Sequence, residues 1–204
     1  MEPEYNFNLD IEQTLDNSPT LYRRDIDEHY HSTKGAVTEA LHVYVKSGLE
    51  YHPKKTVRVC EIGFGAGLNA LTTAMLSKKK SIEYHTFELF PLSAELCKSL
   101  DYHTEIDNSV SAWGEELRNA IHDAEWEKPV RITDRFVIHK HLADITKGIQ
   151  LQPESVDVVY FDAFAPEKQP EMWSNEIFSD IYKIMTPGGV LPPYSAKGAI
   201  RRLL

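Results

Sequence analysis

From Val57 onward the chain alternates short apolar runs with segments whose apolar residues recur every three or four positions. The short runs read as strands at Val57–Ile62, Ile82–Glu88, Arg135–Leu142, Val156–Asp162 and Gly189–Leu191. The periodic segments read as helices at Leu68–Leu76, Leu92–Leu100, a polar stretch Ser111–Trp126, and Asn175–Met185. Strands that alternate with helices predict an α/β fold: a mostly parallel sheet flanked by helices and joined by right-handed crossovers. Before this series, Tyr5–Ile11 and Thr20–Arg23 read as short strands around an Asp16-Asn17-Ser18-Pro19 turn. Gly35–Tyr51 carries Val37, Leu41, Tyr44, Val45 and Leu49 at helical spacing, and Pro53 closes the unit. Residues 1–52 are therefore expected to form a short β/α extension packed on a core domain spanning 53–204. No repeat, low-complexity tract or linker interrupts the series.

Composition narrows this only a little. At 204 residues and 42% hydrophobic content the chain can bury one core. No run nears the ~18 apolar residues of a membrane span, and the N-terminus lacks a signal-peptide pattern, so a cytoplasmic protein without a membrane partner is expected. Cys60 lies in a strand and Cys97 in a helix, which favours two buried thiols over a disulfide. His29-x-His31 and His139-x-His141 are the metal-like pairs, but neither has a third ligand at the usual spacing, so no metal is expected. The net charge of -9 opposes a phosphate-rich partner. Its distribution is uneven: residues 1–50 hold 10 acidic and 4 basic side chains, whereas residues 51–100 hold 4 and 7. Lys54, Lys55, Arg58, Lys78, Lys79 and Lys80 supply that excess, with Lys197, Arg201 and Arg202 near the end.

The chemistry concentrates at strand ends, where open parallel sheets bind ligands. Glu61-Ile62-Gly63-Phe64-Gly65-Ala66-Gly67-Leu68-Asn69 joins the first strand of the series to its helix. Glycine there permits positive φ and close approach of backbone to a ligand. A dinucleotide fingerprint would need its third glycine where Leu68 stands, so that register fails. The spacing E-x-G-x-G-x-G instead resembles the first motif of S-adenosylmethionine-dependent methyltransferases. The resemblance implies cofactor contacts from Glu61, Gly63, Phe64, Gly65, Gly67 and Asn69. The later strands end in Glu88, Asp144 and Asp162. Glu88, 21 residues past Gly67, suits the ribose hydroxyls, and Asp144 with Ile145 suits the adenine. A bland alternative is open for each, since acidic residues also cap the helices that follow strands.

A second segment is more specific. Asp162-Ala163-Phe164-Ala165-Pro166 followed by Lys168, Pro170, Met172 and Trp173, with Tyr194-Ser195-Ala196 and Arg201-Arg202 later, closely resembles the bacterial tRNA 5-aminomethyl-2-thiouridine methyltransferases. Ser18 to Tyr22 and Asp27 to Ser32 are similar to the opening of that family, so the likeness covers nearly the whole chain. It implies a Rossmann-like S-adenosylmethionine-dependent methyltransferase fold and N-methylation of the aminomethyl group on the wobble uridine, with the tRNA anticodon stem-loop as partner. Asp162 would touch the cofactor and act as base or orienting group for the amine. Phe164, Trp173 and Tyr194 would stack on a splayed base, with Lys168, Tyr30 and Glu39 at the mouth. The resemblance is to the stand-alone form without the flavin oxidase domain, implying a functional link to separate wobble-uridine modification enzymes.

Three departures stand out. Ala66 replaces a usual threonine, Pro192-Pro193 should end the fifth strand early, and a seven-stranded sheet would need two further strands after Leu204. The C-terminal strands are accordingly expected to be missing. Rival readings are methyl or aminopropyl transfer to a free small amine, and a non-catalytic cofactor-binding partner protein.

Overall fold

The computed structural model describes residues 7–77 and 79–192, with no account of the Asn108 and Ser111 side chains. Tyr194 and the basic residues Lys78, Lys197, Arg201 and Arg202 lie outside the described residues.

The main sheet has six strands in the order β6-β7-β5-β4-β8-β9. These are β4 (Thr56–Ile62), β5 (Ser81–Glu88), β6 (Pro129–Thr133), β7 (Phe136–Leu142), β8 (Val156–Phe161) and β9 (Met185–Val190). All neighbours pair in parallel except β6, which is antiparallel to β7. Helices α2 (Leu68–Leu76), α3 (Ala94–Lys98), α4 (Tyr102–Ile106), α5 (Ser111–Asp123) and α6 (Asn175–Ile184) make the crossovers. Covered on both faces, β8 is buried at every position, which is why its run Val-Asp-Val-Val-Tyr-Phe scarcely alternates.

A separate antiparallel sheet, β1 (Leu9–Gln13), β2 (Pro19–Arg23) and β3 (Glu28–His29), precedes helix α1. The first turn of α1 is α-helical (Ala36–Glu39) and the remainder is π-helical (Ala40–Glu50). Its backbone lies close to β8: a Cβ on Gly48 would stand 3.2 Å from Val158 and 3.3 Å from Tyr160. Tyr44 packs its ring 4.9 Å from that of Tyr160. Apolar residues of α1 and β2 share one cluster with β4, α2, β5 and β7, while Ile62, Phe87, Val159, Phe161 and α6 form a second cluster.

Several elements differ from the sequence expectation. The N-terminal strand runs to Gln13, and β3, β6 and α4 are additional. Two-residue β3 and the polar, proline-led β6 lack a usable apolar period. The last strand begins at Met185 rather than Gly189, because Pro187-Gly188-Gly189 reads as a turn yet is accommodated in a strand with a register shift against β8. Strand β9 stops at Val190, ahead of Pro192.

The hairpin turn supplies the missing cap of α1. Gly35, at the N-cap position, has no side chain, so Asp16 accepts from the Thr38 N–H at 2.8 Å and Ser18 Oγ accepts from Ala36 and Val37 at 3.1 and 3.2 Å. Burial raises the Asp16 pKa, but bonds from Ser18, Thr14 and Thr38 outweigh it and hold the carboxyl well below the usual range. Such a depressed group contributes stability above its unfolded pKa and loses it as pH falls. Asp16→Ala should therefore cost about 1 kcal/mol at pH 7, the usual loss when a capping side chain is replaced by alanine. The difference from wild type should shrink toward zero as urea titrations are repeated down through pH 4 to pH 2.

Candidate functional site

The chain crosses the sheet from β4 through β5 to β7, then returns to β8 on the far side of β4. At such a reversal the loops leaving neighbouring strands diverge and open a crevice outside the carboxyl ends. A cavity of about 450 Å³ lies there, within the range for small-molecule sites. Gly63, Phe64 and Gly65 after β4, Phe87 to Phe90 around the end of β5, Ala143 to Thr146 after β7, and Asp162 to Ala165 after β8 form its floor. The N-terminal sheet closes it with Arg23, Glu28, Tyr30 and His31.

The glycine turn is fixed by backbone contacts. Gly63 (φ 88°) donates to Phe87 O at 3.0 Å, and a Cβ on it would stand 2.5 Å from the carbonyl oxygen of Asp162. Gly65 (φ 50°) faces Tyr30, and its N–H donates to Glu88 Oε2 at 3.1 Å. The other oxygen of Glu88 accepts from Phe90 N–H at 2.9 Å. Two of roughly four acceptor positions on that carboxylate are thereby used, leaving capacity for a diol.

Asp162 stands where β4 and β8 meet. Its Oδ2 accepts from Asn69 Nδ2 at 2.7 Å, and the Tyr44 hydroxyl, which donates to Phe161 O at 3.3 Å, lies close enough to lower its pKa. Burial, reinforced by the charge of Glu39, pushes its carboxyl up to about 7 despite those donors. Tyr44 is a site residue missed in the sequence, since a tyrosine at helical spacing reads as core. Aromatic walls surround this carboxyl: Tyr30 and Phe164 meet edge to face at 5.1 Å.

The expected site residues divide into three groups. Gly63, Phe64, Gly65, Glu88, Asp144, Asp162, Phe164, Lys168 and Tyr30 all line the cavity. Glu61, Gly67, Asn69, Glu39 and Trp173 do not. Glu61 is wholly buried behind the turn, accepts from Thr86 Oγ1 at 2.7 Å, and is pushed up to about 8 by burial. Gly67 (φ 74°) starts α2, where a Cβ would stand 2.8 Å from the His122 ring. Trp173 donates its indole N–H to Phe164 O at 2.9 Å and packs on Phe161, so it braces the loop that presents Phe164. Tyr194 lies outside the described residues. Asp144 lines the cavity while capping its own turn through Thr146 N–H at 3.0 Å.

Among the described residues, Lys54, Lys55 and Arg58 of the basic excess sit elsewhere. Lys54 and Lys55 precede β4 at the pole opposite the cavity, where Lys54 pairs with Asp157 at 2.6 Å and Arg58 with Glu83 at 2.8 Å. The cavity's own cations are Arg23 and Lys168, the latter 3.6 Å from Asp27. No helix among the described residues is long and apolar enough to cross a membrane.

Comparison with known proteins agrees with this geometry. Residues 108–204 match the family model of an S-adenosyl-L-methionine-dependent methyltransferase. The crystal structure of MnmC2 from Aquifex aeolicus superposes with a TM-score of 0.74 at 25% identity, covering 98% of this chain and 64% of that one. The chain thus spans just under two thirds of that protein's length. A probable spermidine synthase from Corynebacterium glutamicum shares the fold, with a TM-score of 0.52 at 16% identity over 94% of this chain and 62% of that one. The cavity's size, its glycine turn and the spare acceptors of Glu88 fit a nucleoside cofactor, S-adenosylmethionine. Over residues 108–204 the chain is similar to the S-adenosyl-L-methionine-dependent methyltransferases, and over nearly its whole length it shares the fold of MnmC2.

Proposed function

We propose that this chain methylates the aminomethyl nitrogen of 5-aminomethyl-2-thiouridine at the tRNA wobble position. The carrying observation is Asp162: a carboxyl at the end of β8, open to the cavity and raised to about 7. S-adenosylmethionine, when bound, supplies a methyl group on a sulfonium. The acceptor nitrogen must bring a free lone pair to that carbon, yet an alkylamine is mostly protonated near neutral pH. Asp162 would take that proton first, freeing the lone pair; the N–C bond then forms as the C–S bond breaks, with its electron pair leaving on sulfur. Asn69 and Tyr44 orient the carboxylate. Glu88 and the Gly63-Phe64-Gly65 turn would hold the ribose side of the cofactor, and Asp144 with Ile145 the adenine side. Phe164 and Tyr30 offer ring faces to a base turned out of the anticodon loop. The likeness to MnmC2, together with the Asp162 to Trp173 motif, supports the choice of a tRNA substrate.

The acidic lining, Glu28, Glu88, Asp144 and Glu171, favours a second reading in which a free polyamine is the acceptor. Label from methyl-labelled S-adenosylmethionine should appear in tRNA carrying the unmethylated aminomethyl group; transfer to spermidine-type amines alone would select the second reading. On the tRNA substrate kcat/KM should rise with pH through about 7 as Asp162 ionises. Asp162→Asn should lower kcat by roughly 10²–10⁴ and remove that inflection, leaving only the later rise from the amine itself. An unchanged profile in the variant would overturn the role of Asp162.

A further inference from the structure

Strands β5 and β7 bring together three imidazoles that the sequence spreads across 57 positions. Alternation puts His85, His139 and His141 on the same sheet face, and the parallel register sets His139 opposite His85 and His141 opposite Phe87. One ring nitrogen from each histidine lies within 4.8 Å of the others. The sequence reading discounted a metal because His139-x-His141 has no third partner at ligand spacing. Strand pairing provides that partner from 54 residues upstream.

The surroundings favour ligation. His85 Nε2 faces Glu83 Oε1 at 3.1 Å, and Arg58 holds the same carboxylate at 2.8 Å. A carboxylate on the outer nitrogen fixes the tautomer that directs the Nδ1 lone pair inward, the arrangement seen behind metal-binding histidines. That Nδ1 meets His141 Nε2 at 3.0 Å. His139 Nε2 is buried and has no hydrogen-bond partner among the described residues. Phe87 stacks on His141 at 4.5 Å and separates the cluster from the cavity it also lines.

We propose that His85, His139 and His141 form a binding site for a divalent transition metal, zinc foremost, that clamps β5 to β7. Imidazole nitrogens suit zinc over calcium or magnesium. Zinc–nitrogen bonds of about 2.0–2.1 Å place tetrahedral ligand atoms roughly 3.3 Å apart. His85 and His141 already meet that spacing, and the widest pair must close by about 1.5 Å through side-chain rotation. Water would complete the coordination.

The site can be tested without reference to methyl transfer. Tag-free protein stripped with a chelator would be titrated with zinc chloride by calorimetry, in parallel with thermal melts. One equivalent should bind and raise the melting temperature by several degrees. His139→Gln and His141→Gln should each weaken zinc at least tenfold, while His42→Gln, remote from the cluster, should change neither readout. Melts without zinc establish that each variant is folded. A folded His139→Gln/His141→Gln double variant that binds zinc as tightly as wild type would overturn the proposal, as would wild type that takes up none at 100-fold excess.

Discussion

Two backbone hydrogen bonds pin the carboxyl end of β4 from both sides. Gly63 donates to Phe87 of β5 at 3.0 Å, while Asp162 donates to Ile62 at 2.9 Å. Between them no space is left for a side chain, since a Cβ at position 63 would stand 2.5 Å from the Asp162 oxygen. This crossing gathers the ends of three strands onto one small area. Glu88, the glycine turn and Asp162 are neighbours for that reason, although 74 residues separate the last two carboxylates in sequence. Any change that opened the β4–β8 junction would separate Glu88 from Asp162.

The junction is also electrostatically costly. Glu61 and Asp162 are both raised by burial, and the charge of Asp162 adds to the shift of Glu61. Two nearby carboxyls that ionise reluctantly are a poor choice for stability and a common one for chemistry. Asn69 and Tyr44 limit the cost at Asp162, and Thr86 does so at Glu61. Tyr44 belongs to α1, whose start is capped by Asp16 and Ser18 from the N-terminal hairpin. The N-terminal sheet therefore does more than wall the cavity, because the helix it caps reaches the surroundings of Asp162.

Much of this was legible in the sequence where local pattern and long-range role coincide. The run Val57–Ile62 followed by three alternate glycines announced a strand, a turn and a helix, and β4 and α2 form there. The aspartate closing an apolar run likewise marked the end of β8. Glu61 was harder: its place in the motif suggested a ligand contact, whereas its side chain points into the core and supports the turn through Thr86. Trp173 was expected to stack on a splayed base; its indole N–H bonds to Phe164 O and braces that loop. Tyr44 and the histidine cluster were hidden for one shared reason. Their meaning depends on strand register and helix packing between distant segments, which periodicity within one segment does not encode.

The central claim is that one cavity, built at the β4–β8 junction, holds S-adenosylmethionine with its reacting end toward Asp162. A crystal structure with S-adenosylhomocysteine tests it most directly. The account predicts ribose hydroxyls within hydrogen-bond distance of Glu88, the adenine beside Asp144 and Ile145, and the sulfur on the Asp162 side of the cavity. A ligand bound elsewhere, or seated with its ribose away from Glu88 and its sulfur away from Asp162, would contradict it.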